Sequence, residues 1–428
     1  MKPPRRPNNR QSAPDGPGVP TRRAALKLLD AVLRRGLALE QALDSAAQGL
    51  APNDRGLAHA IAAEVLRRLP DLDALIDSAT KQQLPDDAKA RFALRIALVQ
   101  ALALGTPGHA AISTVLPLVD GGPRKLVHGV FGTLVRQGVT LPEPPTLPDA
   151  VALRWHAAWG DQMIEDAERA IAVPPPLDLT LRAPDVVPDL SGKSLIAGHF
   201  RLDEKGPVAM LPGYAEGDWW VQDLAASLPA RLIGKGTGTA LDLCAAPGGK
   251  TLQLAAAGWK VTAVDVSESR LARLHENLDR TGLEADVVTA DLLTWKPEAP
   301  ADAVLLDAPC SATGIFRRHP DVLHRVRPSL IREMAELQGK LLLRAADWVK
   351  PGGTLVFSTC SLEPEEGEKQ LAAFLKARSD YAIVPVKPEE LPHGVMPRED
   401  GSLRLLPGTL ADAGGLDGFF IARLTRKA

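Results

Sequence analysis

The spacing of apolar residues changes character along the chain. Between Thr21 and Gly138 apolar positions recur every three to four residues, the period of a helix that buries one face. Ala25, Leu28, Leu29 and Val32 form such a face over residues 22–35, and Thr21 carries the short hydroxyl side chain expected of the N-cap. The same period predicts helices over residues 54–69, 87–104, 109–119 and 124–136, separated by Pro, Gly or Asp. Residues 21–140 are expected to form an all-helical domain. Residues 1–20, rich in Pro, Gly and Asn and poor in apolar side chains, read as a disordered tail.

Residues 141–148 contain four prolines, which cannot continue a helix, so 141–149 is expected to be a semi-rigid linker. Residues 150–228 mix a helical stretch (151–172) with short apolar runs such as 177–181, a pattern that suits a small α+β domain. From Thr239 short apolar runs alternate with helical periods. The runs are 240–243, 261–264, 285–288, 303–306 and 354–357; the helical stretches are 251–257, 267–281 and 328–349. Buried strands separated by helices predict an α/β domain over 229–428, with a parallel sheet covered on both faces. In such sheets ligands bind beyond the carboxyl ends of the strands.

Composition narrows the classes. At 428 residues the chain is long enough for several domains, and 45% hydrophobic residues suffice for sizeable cores. No apolar run approaches the roughly 20 residues of a membrane helix, and the N-terminus lacks the apolar stretch of a secretory signal. A cytoplasmic monomer without a membrane partner is expected. Cys244, Cys310 and Cys360 fit neither a disulfide framework nor a C-x-x-C zinc pattern, so they are expected to be reduced thiols, with no metal site. The net charge of −2 does not advertise a nucleic-acid partner, but basic residues cluster: Lys2, Arg5, Arg6, Arg10, Arg22 and Arg23, then Arg317, Arg318, His319, Arg325 and Arg327.

The chemistry-bearing residues stand at the predicted strand ends. The first strand runs into Asp242-Leu-Cys-Ala-Ala-Pro-Gly-Gly-Lys-Thr251, a glycine turn that opens a helix with free N–H groups. A phosphate-binding P-loop requires glycine where Cys244 stands, and a dinucleotide fingerprint would place its glycines after the strand, whereas Gly234, Gly236 and Gly238 precede it. S-adenosylmethionine fits better. Asp265 ends the second strand, where its carboxylate can accept both ribose hydroxyls; Asp291 follows the third and can reach the adenine amino group. The fourth strand ends in Asp307-Ala-Pro-Cys-Ser-Ala-Thr-Gly314 and the fifth in Ser358-Thr-Cys-Ser361, which brings two cysteines to adjacent strand ends. Methylation of cytosine at carbon 5 needs such a thiol: a thiolate adding at carbon 6 breaks the aromaticity and makes carbon 5 nucleophilic. Asp307 is the candidate partner for the amino edge of the base. Spacing leaves open which cysteine is the nucleophile.

These residues resemble the RNA cytosine-5 methyltransferase family. The resemblance is carried by Val221-Gln-Asp223, Asp242–Thr251, Val264-Asp265, Asp307–Gly314, Arg317-Arg-His-Pro-Asp321, Ser358–Ser361 and Asp417-Gly-Phe-Phe420, across 221–424. It implies a Rossmann-like methyltransferase domain, with Cys360 as nucleophile and Cys310 assisting product release. It also implies cofactor contacts from Cys244, Ala245, Ala246, Pro247, Gly248, Gly249, Lys250, Asp265, Asp291 and Asp307. Asn53-Asp-Arg55 with Val65-Leu-Arg67 resembles a NusB-like RNA-binding domain, a fusion that implies the bacterial members acting on small-subunit (16S) ribosomal RNA. In that reading Arg317 and Arg318 neutralise RNA phosphates, and the target cytosine is flipped out or unpaired. Two positions depart from the family: Gly367 follows Pro364-Glu-Glu366 where relatives have Asn, and Leu181-Arg-Ala183 stands where many have Leu-Arg-Val-Asn. A transfer-RNA substrate and a non-catalytic RNA-binding factor are the alternatives.

Overall fold

Gly18, with φ 77°, turns the chain into helix α1 (Val19–Leu33), and Pro20 in its first turn supplies a preset φ where no N–H is needed. The helix therefore starts ahead of Thr21. Thr21 is not its N-cap; it lies inside the helix, buried, and donates its hydroxyl to Asp54 Oδ1 at 2.9 Å. Val19 and Pro20 accordingly belong to the fold and not to a tail. The computed structural model describes residues 16–186, 188–203 and 206–428, so residues 1–15 of the expected tail lie outside the described residues. The chain divides into two units, one ending at Thr146 and one beginning at Leu147, inside the proline-rich segment.

The first unit continues with α2 (Leu39–Ala46), α3 (Pro52–Arg67), α4 (Leu69–Ser78), α5 (Lys89–Leu102), α6 (Gly108–Val115) and α7 (Gly121–Gln137). The predicted apolar face of α1 is buried in one cluster with Ile61, Leu66, Leu94, Leu98 and Leu134. Two helices escaped the periodicity. α2 is short, and α4 follows α3 after a single residue, with Pro70 in its first turn. α4 earns its place through charge as well as packing. Arg91 and Arg95 of α5 are buried, and they donate to Asp77 (2.7 Å) and Asp73 (2.7 Å) of α4. Buried arginines are tolerated only when so paired.

In the second unit, α8 (Asp149–Trp159) and α9 (Asp161–Ala172) replace the single helical stretch expected there, because Gly160 adopts φ 81° between them. A small antiparallel sheet follows, of β1 (Asp178–Leu181), β2 (Gly192–Lys193), β3 (His199–Leu202) and β4 (Trp219–Val221), in the order β2-β3-β1-β4. Helix α10 (Leu224–Arg231) leads to the main sheet. Residues 150–228 do not stand apart as a domain of their own. Trp155 of α8 is buried against Phe316 and donates its Nε1–H to Glu363 Oε1 at 3.1 Å, and Trp159 donates to the Leu362 carbonyl at 2.9 Å. Leu224 and Leu228 of α10 pack with Leu305 and Val356 of the large sheet.

The large sheet alternates as predicted: β5 (Thr239–Leu243), α11 (Gly249–Ala256), β6 (Lys260–Asp265), α12 (Glu268–Thr281), β7 (Asp286–Thr289), β8 (Ala301–Asp307), α13 (Val322–Arg325), α14 (Pro328–Asp347) and β9 (Val349–Thr359). Beyond these lie α15 (Glu368–Ala377), β10 (Tyr381–Ile383), β11 (Leu403–Leu405) and β12 (Phe419–Arg426). The strand order is β10-β12-β9-β8-β5-β6-β7, with β11 paired to β12. β5 to β9 run parallel, and β12 joins antiparallel to β9 through register pairs such as Phe420 with Thr359. Strand order reverses between β5 and β8, which opens the crevice where ligands of doubly wound sheets bind. Cys244, Asp265, Asp307 and Cys360 all stand at that carboxyl edge. No helix among the described residues is long and apolar enough to cross a membrane.

Candidate active site

β5 delivers the chain into a turn that only small residues can make. Cys244 has φ 63°, and Gly248 has φ 110° with a virtual Cβ 2.4 Å from Leu274 Cδ1, so any side chain there would strike α12. Gly249 then opens α11 against Gln222. Beneath the turn Asp242 is wholly buried. One carboxylate oxygen accepts the Thr251 hydroxyl at 2.6 Å, and the other, Oδ1, has no partner among the described residues. At the end of β6, Asp265 is nearly as buried, and its two oxygens accept the N–H groups of Ala246 (3.1 Å) and Ser267 (2.9 Å). An ionised carboxylate has about four acceptor directions, so two remain for ligand hydroxyls. Asp291 follows β7, exposed, and its Oδ1 accepts the Leu293 N–H at 2.8 Å. A cavity of about 480 Å³ lies over the turn, lined among others by Asp242, Cys244, Pro247, Gly249, Lys250 and Asp307. An unsatisfied buried carboxylate oxygen below a cavity that Asp307 also lines, with the Asp265 carboxylate at the neighbouring strand end beside the same turn, fits a ligand that is cationic and carries a ribose.

Burial pushes the Asp242 carboxyl up to about 7, against the opposing hydrogen bond from Thr251. Its pKa in the unfolded chain is about 4, so the folded state holds this proton more tightly. The stability it lends is complete below about pH 4 and is lost as pH rises through 7. Asp242→Asn is therefore expected to flatten the fall in melting temperature between pH 4 and pH 7. Thermal melts across that range check this, and an unchanged slope would assign it to other groups.

The candidate reacting groups cluster at the ends of β8 and β9. Lys250 reaches from α11 to donate to Asp307 Oδ2 at 2.7 Å, and Ser358 donates its hydroxyl to Asp307 Oδ1 at 2.7 Å. Burial works against charge on the lysine, but Asp307 outweighs it and the Lys250 pKa is raised. Lys250 thus holds the carboxylate as well as lining the cavity, a pairing the sequence did not disclose. Cys310 Sγ and Cys360 Sγ lie 3.4 Å apart, both half-buried. The Cys310 thiol is pushed well above its ordinary range, first by its hydrogen bond with Cys360 and then by burial. Cys244 is also raised, by burial, so its thiol stays protonated beside the turn.

The structure gives both arginines expected at RNA phosphates partners inside the fold. Arg317 is buried, not presented to a phosphate: its Nε and Nη2 donate to Asp417 Oδ1 at 3.2 and 3.1 Å, and its Nη1 donates to the Gly414 carbonyl at 3.0 Å. Arg318 donates to Asp417 Oδ2 (3.2 Å) and Asp223 Oδ2 (2.7 Å). Asp223 in turn caps α10 by accepting the Ala225 N–H at 2.9 Å. The two arginines therefore bind the loop after β8 to the start of α10 and the residues before β12. In the N-terminal basic cluster, Arg22 likewise turns inward, donating to Gln100 Oε1 at 2.8 Å. Of the two departures from the family pattern, the one at Gly367 has a local reason. A Cβ on Gly367 would lie 2.6 Å from Arg404 Nη2 and 2.7 Å from Phe420 Cγ, so the position is closed to asparagine here. Arg182 is tied to the Thr281 carbonyl at 2.9 Å.

Sequence reading missed Glu366. This carboxylate is fully buried and joins the residues that follow both cysteines. Periodicity gives no hint of it, since it sits in a short 3₁₀ turn (Pro364–Glu366). The signal available was an acidic residue eight positions after the start of Ser358-Thr-Cys.

Residues 232–425 match the family described as 16S rRNA methyltransferase RsmB/F, and residues 19–131 match the NusB family. The chain is 35% identical over 395 residues to the ribosomal RNA small subunit methyltransferase B of Xanthomonas campestris, covering 86% of this chain and 90% of that one. It is 32% identical over 443 residues to the enzyme of the same name from Cronobacter sakazakii, covering 95% and 98%. A solved methyltransferase homologue from Pyrococcus horikoshii shares 28% identity with a TM-score of 0.54, covering 69% of this chain and 98% of that one. With a NusB domain ahead of a methyltransferase fold, and relatives matched over nearly their whole length, this chain belongs to the RsmB/F family of RNA methyltransferases.

Proposed function

We propose that this protein transfers a methyl group from S-adenosylmethionine to carbon 5 of one cytosine in small-subunit (16S) ribosomal RNA, through a covalent bond between Cys360 and carbon 6 of the base. The observation that carries the reading is the 3.4 Å contact between two thiols at neighbouring parallel strand ends, beside the Asp307–Lys250 pair. Enzymes that methylate an exocyclic amine have no need of such a pair. When bound over the Cys244–Lys250 turn, with Asp265 toward the ribose and Asp291 toward the adenine edge, the cofactor supplies an electrophilic methyl on a sulfonium.

The protein's own groups then divide the work. The thiol pair loses one proton to water, and because the Cys310 pKa is raised, the remaining proton sits on Cys310. The Cys360 thiolate forms a bond to carbon 6, and the ring electrons move toward carbon 5, which takes the methyl. Asp307, fixed by Lys250 and Ser358, accepts a hydrogen bond from the amino edge of the cytosine and orients the ring. Carbon 5 must next lose its proton. Once Cys360 is bound to carbon 6 it no longer faces Cys310 as a thiolate, so Cys310 can release its own proton to water, and the Cys310 thiolate then takes the proton from carbon 5. Electrons returning to the ring expel Cys360 as a thiolate, which restores the enzyme. A ribosomal substrate also suits a cytoplasmic protein.

The test is to map 5-methylcytosine in RNA from cells with and without the gene. Loss of one small-subunit ribosomal site is expected. Loss of a transfer-RNA site instead would move the substrate while keeping the chemistry, and an unchanged map would end the proposal.

A further inference from the structure

Glu366 sits between the two cysteine turns with no exposed surface, and no lysine or arginine pairs with it among the described residues. Its partners are all neutral donors. Oε1 accepts the Ser311 N–H at 2.8 Å and Gln338 Nε2 at 3.2 Å. Oε2 accepts the hydroxyls of Ser311 and of Ser361, the latter at 2.5 Å. Its own backbone carbonyl accepts the Thr359 hydroxyl at 3.1 Å. Ser311 follows Cys310; Thr359 and Ser361 flank Cys360. Gln338, from α14, also donates to the Pro309 carbonyl at 2.9 Å, one residue before Cys310. One carboxylate therefore clamps both cysteine turns, from α14 on one side and the start of the segment before α15 on the other.

A clamp made only of hydrogen bonds could be built with an amide. Burying an unpaired carboxylate is expensive, and burial does raise the Glu366 pKa, against the hydrogen bonds from Ser311 and Ser361. The cost has a use beside two thiols. We propose that Glu366 is a positioning residue of the methyl-transfer site: it sets the contact between Cys310 and Cys360 and, by its charge, keeps the second proton of the pair on Cys310. This rests on the reading of the thiols given above. The charged or titratable groups that act on Cys310 are Cys360 on β9's exit, Glu366 on the following turn and Asp307 at the end of β8. All three are negative when ionised and oppose a thiolate at Cys310. Of these only Glu366 holds the turns of both cysteines without a counter-ion, since Asp307 is paired with Lys250.

Glu366→Gln keeps the size and removes the charge. In a background with Cys244→Ala and Cys360→Ser, the remaining thiol can be titrated by thiolate absorbance in the ultraviolet. The expected result is a Cys310 titration moved about one unit toward lower pH by Glu366→Gln, a tenfold change in proton affinity. With both cysteines restored, kcat for RNA methylation is expected to fall about 10- to 100-fold with KM for RNA nearly unchanged, and Glu366→Asp is expected to recover part of it. An unmoved titration, or full activity of Glu366→Gln, overturns the proposal. The titration needs no RNA, so it decides the role of Glu366 even if the parent methylates no ribosomal site, an outcome that would sink the proposed function alone. Should Glu366→Gln not fold, Glu366→Asp in the same two assays decides: reduced kcat with the titration kept near the parent value supports the clamp, and unreduced kcat refutes it.

Discussion

Cys360→Ala is expected to abolish methyl transfer, and Cys310→Ala is expected to leave the protein joined to its RNA. The two thiols touch at 3.4 Å, yet the proposed chemistry uses them at opposite ends of the reaction. Without Cys360 nothing adds to carbon 6, and the aromatic ring does not attack the methyl donor. Loss of a nucleophile that acts in concert with its neighbours costs about 10⁴-fold or more in rate. Without Cys310 the addition and the methyl transfer proceed, but carbon 5 keeps its proton and the ring cannot expel Cys360. The product is a covalent RNA–protein species that survives denaturation and migrates slowly on a denaturing gel. The double variant should form no such band, because the bond is made by Cys360. A Cys360→Ala protein that methylates at the parent rate would reverse the assignment, and a band formed by Cys360→Ala but not by Cys310→Ala would exchange the two roles.

How much of this was legible in the sequence depends on the range of the interaction that fixes each feature. The parallel core from β5 to β9 follows from local alternation of buried runs and amphipathic helices, and each strand end carries the residue that matters there. Cys244, Asp265, Asp307 and Cys360 were found because sheet topology sends them to one edge. The antiparallel strands β10, β11 and β12 were not found. They are stabilised by long-range pairing with β9, and their own periodicity is short and irregular. The same holds for α8, whose buried Trp155 meets a partner 208 residues away, so a local reading grouped it with the wrong neighbours. Charge was the least legible property. Arg317 and Arg318 look like a surface patch in one dimension, and only the fold brings Asp223 and Asp417 to them. Asp307 was expected to face the base, but its hold on Lys250 required knowing that α11 packs beside β8.

That reassignment of charge carries the second large effect. Arg317→Met keeps most of the stem that packs in the interior but removes the guanidinium shared by Asp417, the Gly414 carbonyl and, at 3.6 Å, Asp223. Breaking one partner of a buried pair costs about 3–5 kcal/mol, because the carboxylate left behind is poorly compensated. Arg318 still holds Asp417, so the low end of that range is expected, and the melting temperature should fall by about 10 °C. The loss should deepen with pH. Burial first, and then Asp223, already hold the Asp417 carboxyl up at about 6, above its unfolded value near 4. A raised carboxyl pKa gives stability that is present below about pH 4 and lost as pH rises through 6. Removing Arg317 raises it further, so the variant should approach the parent in melts at pH 5 and diverge from it at pH 7 to 8. An arginine that contacted phosphate would behave otherwise. Its loss would leave the melting temperature alone and reduce the slope of log affinity for RNA against log salt by about 0.7 to 0.9. Calorimetric melts and salt-dependent RNA binding on the same variant separate the two: an unchanged melting temperature with a shallower salt slope would return Arg317 to the RNA interface, whereas the buried network predicts the reverse, since the free energy of this guanidinium is spent on two acidic side chains inside the fold.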